Sequence, residues 1–299
     1  MDLATLEIVY DTPEQREKDF MAIRGVEPLL IKANCNTSGD KTRGNVLSAV
    51  KRGLPVVSPG PALDVRAVLV GGGPSLRRNW EEVKQAQEEG AHIFALNGVA
   101  KFLNERGIIP NYQVILDPRP DNIKLIGTAC VYLMASQCAP EVLNALPIDR
   151  TGLFHCLGSS LPAGEDPVIR DGTVKSLVNG YMVNGCTVGL AAMCVANMMG
   201  YKSLSLYGYD SSFEHGVHHA YPQEQTDQEQ KRTEVIAFDR RGKRLVFQTN
   251  ISMAQQAEFF GSTVSMLLAD GADIEVHGDG LIPTIAGAMA AQQSKQAAE

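Results

Sequence analysis

The sequence predicts an α/β fold: a Rossmann-like, mostly parallel sheet flanked by helices, with an N-terminal helical arm and a C-terminal β-hairpin and helix extension. From residue 67 onward, short apolar runs alternate with longer amphipathic segments in the order strand, helix, strand, helix. This order favours parallel strands, because each helical connection returns the chain to the same edge of the sheet. A glycine-rich turn follows the first run, and ligands of such sheets bind where the strands end.

Hydrophobic periodicity places most of the helices and strands. Strands are predicted at 67–70, 92–97, 112–117, 130–135, 152–157, 203–210 and 273–277. Helices are predicted at 77–89, 101–106, 184–200 and 252–269, and a last helix begins at Pro283. Two alternating runs, 234–239 and 244–248, surround a glycine turn and predict a β-hairpin. Residues 158–179 have no clear period and predict a loop over the edge of the sheet.

The first 62 residues predict an arm that packs on the main domain. An N-cap at Asp11 and a proline in the following turn predict a helix over 12–23, and a short helix between loops is expected at 45–52. We therefore divide the chain into three parts. These are the arm of residues 1–62, a Rossmann-like nucleotide-binding domain of residues 63–282 that includes the hairpin 234–249, and a C-terminal helix and tail of residues 283–299.

The composition limits the partners and the compartment. The chain has 299 residues and a formal net charge of −7, which argues against a broadly basic surface that grips nucleic acid. Its six cysteines form no C-x-x-C pair, so we expect reduced core residues and neither a disulfide framework nor a zinc site. The sequence has no signal peptide pattern and no apolar run of about 18 residues. We therefore expect a cytoplasmic protein with no membrane partner, and the sequence leaves its oligomeric state open.

The glycine loop after the first strand is the main candidate binding site. Gly71, Gly72 and Gly73 allow the backbone to approach a ligand, Pro74 suits the first turn of a helix, and Ser75 offers a hydroxyl. Free N–H groups and the helix dipole face such a loop, so it predicts a phosphate site. The loop is neither G-x-G-x-x-G nor a P-loop, which argues against dinucleotide or Walker-type chemistry. The alternative is a tight turn that binds nothing.

Polar residues also follow the other predicted strands. Because parallel strands end at one edge of a sheet, we expect the following residues to meet there: Asn97, Asp117 with Arg119, Ser136, Gln137, Tyr209, Asp210, His277 and Asp279. Asn97 could instead cap a helix, and Asp117 before a proline is also an ordinary turn former. A second set of free N–H groups is expected at the start of the 184–200 helix, at Asn184, Gly185 and Thr187. These residues could bind a phosphate or a carboxylate, or they could serve only tight packing of a central helix.

The loop after the 203–210 strand holds three histidines, His215, His218 and His219. A histidine at this place suits a general acid or base near neutral pH, or a substrate contact. The spacing also resembles a set of metal ligands, but no cysteine lies nearby, and we predict no metal site. The remaining alternative is a solvated loop without a chemical role.

Several of these motifs occur in an order that resembles a known family. The segments are Gly-Gly-Gly-Pro-Ser-Leu76, Ala-Leu-Asn97, Gly107 to Pro118, Gly185 to Gly189 and Leu206-Tyr-Gly-Tyr-Asp210, and they resemble the 6-hydroxymethylpterin diphosphokinase-like (MptE-like) family. That grouping includes the motility-associated flagellin glycosyltransferases, and its Gly-Pro-Ser loop is similar to that of bacterial sialyltransferases. The resemblance covers about residues 65–210. It implies a Rossmann-like domain whose glycine loop takes the phosphate of a nucleotide donor.

The sequence departs from the diphosphokinase branch of that family. The archaeal pterin kinases show an Asp-Gly-Ala step after the second strand and an Asp-rich turn after the third, as expected for carboxylates that hold Mg²⁺ around a triphosphate. This chain has Asn97-Gly-Val and a single Asp117-Pro118 at those places. The resemblance then favours a nucleotide-sugar transferase. In such an enzyme Asn97 contacts the nucleotide, and a loop histidine or Asp210 deprotonates the acceptor hydroxyl.

Three functions follow from the sequence. The leading one is a nucleotide-dependent glycosyltransferase with a nucleotide sugar as its small-molecule donor, and a role for a divalent metal is left open. The layout, including Tyr10-Asp-Thr-Pro-Glu and His277-Gly-Asp-Gly280, also resembles phage-encoded MptE-like proteins, for which the acceptor could be a modified DNA base, a protein or a glycan. The alternatives are an ATP-dependent diphosphokinase acting on a pterin-like alcohol and a non-catalytic nucleotide-binding accessory protein.

Overall fold

A computed structural model gives the fold and describes residues 7–9, 37–156, 187–223 and 232–296, with the backbone alone for 7–9 and 292–296. The helix predicted at 12–23 and the irregular stretch predicted at 158–179 lie outside these residues. Among the described helices, none combines the length and the apolar character needed to cross a membrane.

The main sheet has seven strands, all parallel to their neighbours, which confirms the predicted α/β class. Its order is β10-β7-β2-β3-β4-β5-β6. The strands are β2 (Leu63–Val70), β3 (His92–Leu96), β4 (Tyr112–Ile115), β5 (Val131–Ala135), β6 (Thr151–Phe154), β7 (Tyr201–Tyr207) and β10 (Asp273–Val276).

Helices cover both faces of this sheet. They are α1 (Gly39–Val50), α2 (Leu76–Glu88), α3 (Val99–Asn104), α4 (Pro140–Asn144), α5 (Val188–Met198), α6 (Ile251–Ala269) and α7 (Leu281–Gln296). Alternation along β2 explains the two layers, because successive side chains of a strand point to opposite faces. Leu69 packs into the core that contains α5, whereas Val68 and Val70 pack into the core that contains α2 and α3.

Some helix boundaries differ from those predicted. The helix expected at 45–52 is α1, which begins at Gly39 because the Ser38 side chain accepts a hydrogen bond from the N–H of Lys41 and caps the helix. The last helix begins at Leu281, two residues before the proline that marked its expected start. Pro283 is tolerated there because the first N–H groups of a helix have no partner within it.

The predicted hairpin is confirmed, and it belongs to a second, antiparallel sheet. Its strands β8 (Thr233–Phe238) and β9 (Arg244–Thr249) pair with each other, and β8 also pairs with β1 (Glu7–Val9). The Asp239 side chain accepts hydrogen bonds from the N–H groups of Arg241 and Lys243 and so fixes the turn.

The strand order creates a crevice between β2 and β7. The chain runs from β2 through β3 to β6 on one side, and it then returns to place β7 on the other side of β2. Connections that leave in opposite directions from neighbouring strands open a space at their carboxyl ends, which is where open α/β sheets bind ligands. The glycine loop follows β2, and Asp210 follows β7.

Candidate functional site

A cavity of about 320 Å³ lies at this crevice. Its volume is at the lower end of the range of about 300–1,000 Å³ that is typical of small-molecule sites. The wall is formed by residues at the carboxyl ends of strands β2, β3, β4 and β7, by the first turn of α5 and by the first two turns of α6. The loop of residues 211–223, which we call the histidine loop, completes it. Of the residues predicted to form a site, the cavity is lined by Gly71, Gly72, Gly73, Asn97, Asp117, Thr187, Tyr209, His218 and His219.

Most N–H groups of the glycine loop are used inside the protein. The N–H of Gly71 donates to the carbonyl of Tyr207, and the N–H of Gly73 donates to the carbonyl of Gly208. The carbonyl of Gly72 accepts from the N–H of Ala220, which ties the glycine loop to the histidine loop. The N–H of Gly72 is different, because it has no acceptor among the residues that the structure describes.

Asp210 occupies the place where the sequence predicted a phosphate. One oxygen of its buried carboxylate accepts a hydrogen bond of 2.9 Å from the N–H of Ser75, the residue that caps α2. The N-terminal end of α2 therefore already faces a negative charge from the protein itself. Pro74 and Ser75 are buried behind the glycines and do not line the cavity.

The environment of Asp210 changes its acidity. Burial raises the pKa of the Asp210 carboxyl to about 6, and the nearby Asp279 and Glu214 add to this shift, whereas hydrogen bonding to Ser75 opposes it. Asp210 is only 3% exposed and does not line the cavity. Asp210 therefore connects the start of α2 to the end of β7. Because it does not line the cavity, the structure gives no support to its predicted role as a base.

Helix α5 supplies the N-terminal end that does face the cavity. Thr187, Val188 and Gly189 line the cavity, and the hydroxyl of Thr187 accepts a hydrogen bond from the N–H of Leu190. The hydroxyl of Tyr209 donates to the carbonyl of Gly189 and holds this turn against β7. The positive end of the α5 dipole is therefore directed at the cavity, as the sequence suggested for this helix. The other two residues predicted there, Asn184 and Gly185, lie outside the described residues.

Two residues of the cavity wall have a left-handed backbone, although neither is a glycine. Asn97, directly after β3, has φ 49°, and Ser211, after β7, has φ 48°. Such a conformation costs about 1–3 kcal/mol and is common at functional sites. Within the described part of the chain, the buried Oδ1 of Asn97 and the buried Oγ of Ser211 also have no hydrogen-bond partner.

The carboxylate of Asp117 is neutralised by a neighbour. The guanidinium of Arg119 donates hydrogen bonds to both carboxylate oxygens of Asp117, at 2.8–3.0 Å. The backbone N–H of Arg119 also donates to Oδ1 of Asp117. The pairing raises the pKa of Arg119. Asp117 remains at the edge of the cavity, but the charge that a bound metal would need is already paired.

Ser136 and Gln137 do not line the cavity, although they follow β5. The hydroxyl of Ser136 lies 2.6 Å from Nδ1 of His155 in a buried pair. The Gln137 side chain donates to the carbonyl of Leu116, and its own carbonyl accepts from Asn45. These contacts connect the ends of β4, β5 and β6 to α1 and give the two residues a structural role.

The histidine loop separates its three histidines. His215 is exposed at the tip of a two-residue turn, where Glu214 and Val217 bond to each other and both His215 and Gly216 have positive φ. His218 is buried, and its ring lies 4.2 Å from that of His219. His218 and His219 therefore reach the cavity, whereas His215 does not.

Two arginines of α2 hold this loop in place. Arg77 donates to the carbonyls of His219 and Ala220, at 3.0 and 2.9 Å. Arg78 forms ion pairs with Glu214 and Asp279. These contacts join the segment that follows the glycine loop to the segment that carries the histidines.

The cavity is also lined by residues that no motif in the sequence identifies. They include Leu96, Leu116, Ser211, Tyr221, Gln223, Met253 and Gln256. Met253 and Gln256 come from α6, which lies far from the other elements along the chain, so no local pattern identifies them. Among the described residues, no group of three or more His, Cys, Asp or Glu side chains is placed to hold a metal ion.

Comparisons with known proteins agree with this fold. A family model described as 6-hydroxymethylpterin diphosphokinase MptE-like matches residues 45–216, which is more than half of the chain. The MAf glycosyltransferase from Magnetospirillum magneticum AMB-1 has a TM-score of 0.59 at 15% identity, over 95% of this chain and 46% of its own length. A mammalian sialyltransferase matches 85% of this chain and 90% of its own, but its TM-score of 0.38 at 12% identity is too low to support an argument.

No curated protein matches the sequence. This chain spans just under half of the MAf glycosyltransferase, and at 15% identity the likeness describes the fold alone.

Proposed function

We propose that this chain, which belongs to the 6-hydroxymethylpterin diphosphokinase MptE-like family, is a glycosyltransferase that uses a nucleotide sugar as its donor. The observation that carries the proposal is the composition of one cavity. It combines two histidines with the start of α5 and with the N–H of Gly72, which has no acceptor among the described residues. An anion site beside a group that can accept a proton suits the transfer of a sugar from a phosphate to a hydroxyl.

The reaction assigns a task to each part of the cavity. His218 or His219 takes the proton of the acceptor hydroxyl as its oxygen attacks the anomeric carbon of the sugar. The bond between that carbon and the phosphate oxygen breaks, and the nucleotide leaves with the electron pair. The N–H of Gly72 and the N-terminal end of α5 stabilise the negative charge of the leaving phosphate, because both are fixed before the reaction begins. Asn97 faces the nucleotide.

The family description favours a second candidate, an ATP-dependent diphosphokinase acting on a pterin-like alcohol. Its reaction transfers a diphosphate group and releases AMP, and carboxylates usually hold the Mg²⁺ that accompanies ATP. Here the cavity offers Asp117, whose charge is paired with Arg119, and Asn97 where a second carboxylate would be useful. These residues fit a magnesium triphosphate less well than a nucleotide sugar.

Product analysis distinguishes the two reactions. The protein is incubated with UDP-glucose, GDP-mannose or CMP-N-acetylneuraminic acid and, separately, with Mg-ATP and 6-hydroxymethylpterin, and the nucleotides released are separated by chromatography. We expect release of UDP, GDP or CMP from one donor, and loss of that release in both His218→Ala and His219→Ala if the pair acts together. AMP formation dependent on the pterin, with no reaction of any sugar donor, would replace the glycosyltransferase proposal by the diphosphokinase.

The acceptor is part of the same proposal. A modified DNA base, a protein and a glycan each offer a hydroxyl, so the donor that reacts is next tested with duplex DNA, protein and oligosaccharide acceptors. Transfer of radiolabelled sugar to one of these polymers identifies the acceptor class. Repeating the assay with EDTA tests for a divalent metal.

A further inference from the structure

Tyr221 places its hydroxyl directly over the glycine loop. A Cβ atom added to Gly72 would lie 2.9 Å from the Tyr221 oxygen, and one added to Gly98 would lie 3.4 Å from it. Both Tyr221 and Gly72 line the cavity. The absence of a side chain at Gly72 therefore leaves a small space between the loop backbone and this hydroxyl.

The ring of Tyr221 is held from two sides. Its centroid lies 5.7 Å from that of Phe102, a buried residue of α3, and 5.8 Å from that of His219. The preceding residue is anchored as well, because Ala220 donates to the carbonyl of Gly72 and accepts a hydrogen bond from Arg77. The position of the Tyr221 hydroxyl is thus fixed by the packing of its ring and by the backbone hydrogen bonds of Ala220.

Two hydrogen-bond donors border this space. The Tyr221 hydroxyl forms no hydrogen bond with any described residue, and neither does the N–H of Gly72. Burial raises the pKa of the Tyr221 phenol, so the hydroxyl keeps its proton and can donate a hydrogen bond. The Tyr221 hydroxyl and the backbone of Gly72 border the same space, and two hydrogen-bond donors beside one space suit an oxygen with negative charge, because a neutral acceptor would gain less from them.

We propose that the Tyr221 hydroxyl and the Gly72 N–H together bind one phosphate oxygen of the nucleotide. This inference rests on the proposed function in that it takes the ligand to be a nucleotide, but it does not depend on which group is transferred. It moves the phosphate away from the N-terminal end of α2, where Asp210 already lies, and places it between the glycine loop and the histidine loop. Tyr221 is then a binding residue for the phosphate.

The test removes the hydroxyl and keeps the ring. Tyr221→Phe retains the contacts with Phe102 and His219. Tyr132→Phe is the matched control, since Tyr132 lies on β5, its hydroxyl donates to the carbonyl of Gly127, and it does not line the cavity. Calorimetry measures the affinity of the wild type and both variants for UDP, GDP and CMP and for the matching nucleosides uridine, guanosine and cytidine. Thermal unfolding checks that the variants are folded.

We expect Tyr221→Phe to weaken binding of the nucleotide by about tenfold, to leave binding of the matching nucleoside unchanged, and to differ in this from Tyr132→Phe. Equal weakening of nucleotide and nucleoside would place the hydroxyl at the base or the ribose and overturn the inference. Unchanged nucleotide affinity in a folded Tyr221→Phe variant would also overturn it. If the wild type binds nucleotides and Tyr221→Phe behaves as expected but no sugar is transferred, the proposed function fails and the phosphate site stands; if the wild type binds none of the nucleotides, both fail.

Discussion

Gly72 and Gly73 are neighbours in the glycine loop, but the structure makes different demands on them. A Cβ at Gly72 would meet the ends of two side chains, the Tyr221 hydroxyl at 2.9 Å and the His219 ring at 3.0 Å. We expect Gly72→Ala to fold and to fill the space in which we place the phosphate. Its affinity for the nucleotide should fall by at least tenfold in calorimetry, while its melting temperature should fall less than that of Gly73→Ala, whose Cβ would also meet backbone.

Gly73→Ala is the matched comparison for that variant. Its Cβ would lie 2.2 Å from the Asp210 carboxylate and 2.7 Å from the carbonyl of Gly208, which is backbone and cannot rotate away. We expect a loss of stability of about 1–3 kcal/mol, as for other overpacked sites, measured by urea unfolding. A Gly73→Ala variant as stable as wild type, or a Gly72→Ala variant that binds normally, would contradict the described geometry of the loop.

Asp210 should make the stability of the protein depend on pH. Its carboxyl has a pKa of about 6 in the folded protein against an ordinary value of 3.8, so between these values the folded state holds a proton that the unfolded state has lost. Stability therefore falls as the pH rises from about 4 to about 6, by an amount on the order of 3 kcal/mol for a shift of about two units. Asp210→Asn, which cannot ionise, should lack this part of the decrease.

The measurement compares wild type and Asp210→Asn by urea unfolding at several pH values from 4 to 7.5. Carboxyl groups distant from Asp210 contribute equally to both proteins, so the difference between the two curves reports Asp210 together with its coupling to Asp279 and Glu214. We expect the free energy of unfolding of Asp210→Asn to increase relative to that of wild type as the pH rises, and the variant to be at least as stable as wild type at pH 7. Parallel curves would show that Asp210 is not held in a desolvated place.

The sequence predicts the place of a site residue when that residue directly follows a strand or begins a helix. It does not predict contacts between residues that lie far apart along the chain. Gly71 to Gly73, Asn97 and Thr187 line the cavity as expected, because each directly follows a strand or begins a helix. The carboxylate that fills the end of α2 belongs to Asp210, which is separated from Ser75 by 135 residues. No local pattern reveals that contact. The sequence likewise does not predict Tyr221 as a site residue, since only the fold brings its side chain over Gly72.

At the scale of elements, the first turn of α2 positions the histidine loop. Arg77 donates to the carbonyls of His219 and Ala220, so its removal should loosen the segment that carries His219. We expect Arg77→Ala to lower turnover several-fold, and the amide of Ala220, which bonds to Gly72, to exchange with solvent faster. Hydrogen exchange followed by mass spectrometry measures the second effect.

Arg78→Ala is the control for Arg77→Ala. It lies on the same turn of α2, but its partners Glu214 and Asp279 are side chains near the surface, and exposed ion pairs contribute only about 0–1 kcal/mol. We expect normal exchange at Ala220 and nearly normal turnover. Similar effects of the two substitutions would mean that the backbone contacts of Arg77 are not what holds the loop.

The elements themselves were more predictable than their contacts. Except for the short helix α4, for which no helix was predicted, the strands and α-helices from β2 to β10 follow from hydrophobic periodicity, because each must bury one face or all of its surface. The alternating runs around the turn at Asp239 gave the hairpin β8–β9, but not its pairing with β1, since register between distant strands leaves no local signature. The histidine loop was open to three interpretations, and the structure separates the exposed His215 from the two histidines in the cavity.

At the scale of the whole molecule, ligand binding should raise the stability of the fold. The cavity contacts residues from β2 through α6, so a nucleotide that fills it binds only the folded chain. At a ligand concentration of 100 times its Kd, the free energy of unfolding should increase by about 2.7 kcal/mol. A thermal-shift experiment with the nucleotide that binds most tightly should show a higher melting temperature, and Gly72→Ala should show a smaller increase.

The position of β7 in the sheet also has a consequence for synthesis of the protein. β7 pairs with β2, although β3 to β6 are made between them. While the chain emerges from the ribosome, the edge of β2 is therefore unpaired until β7 has been translated, and unpaired strand edges attract other chains. The same long separation slows folding, because distant segments must find each other before they are stabilised. The cavity that we assign to the donor is thus completed late, and chaperones that shield the β2 edge should increase the yield of active protein.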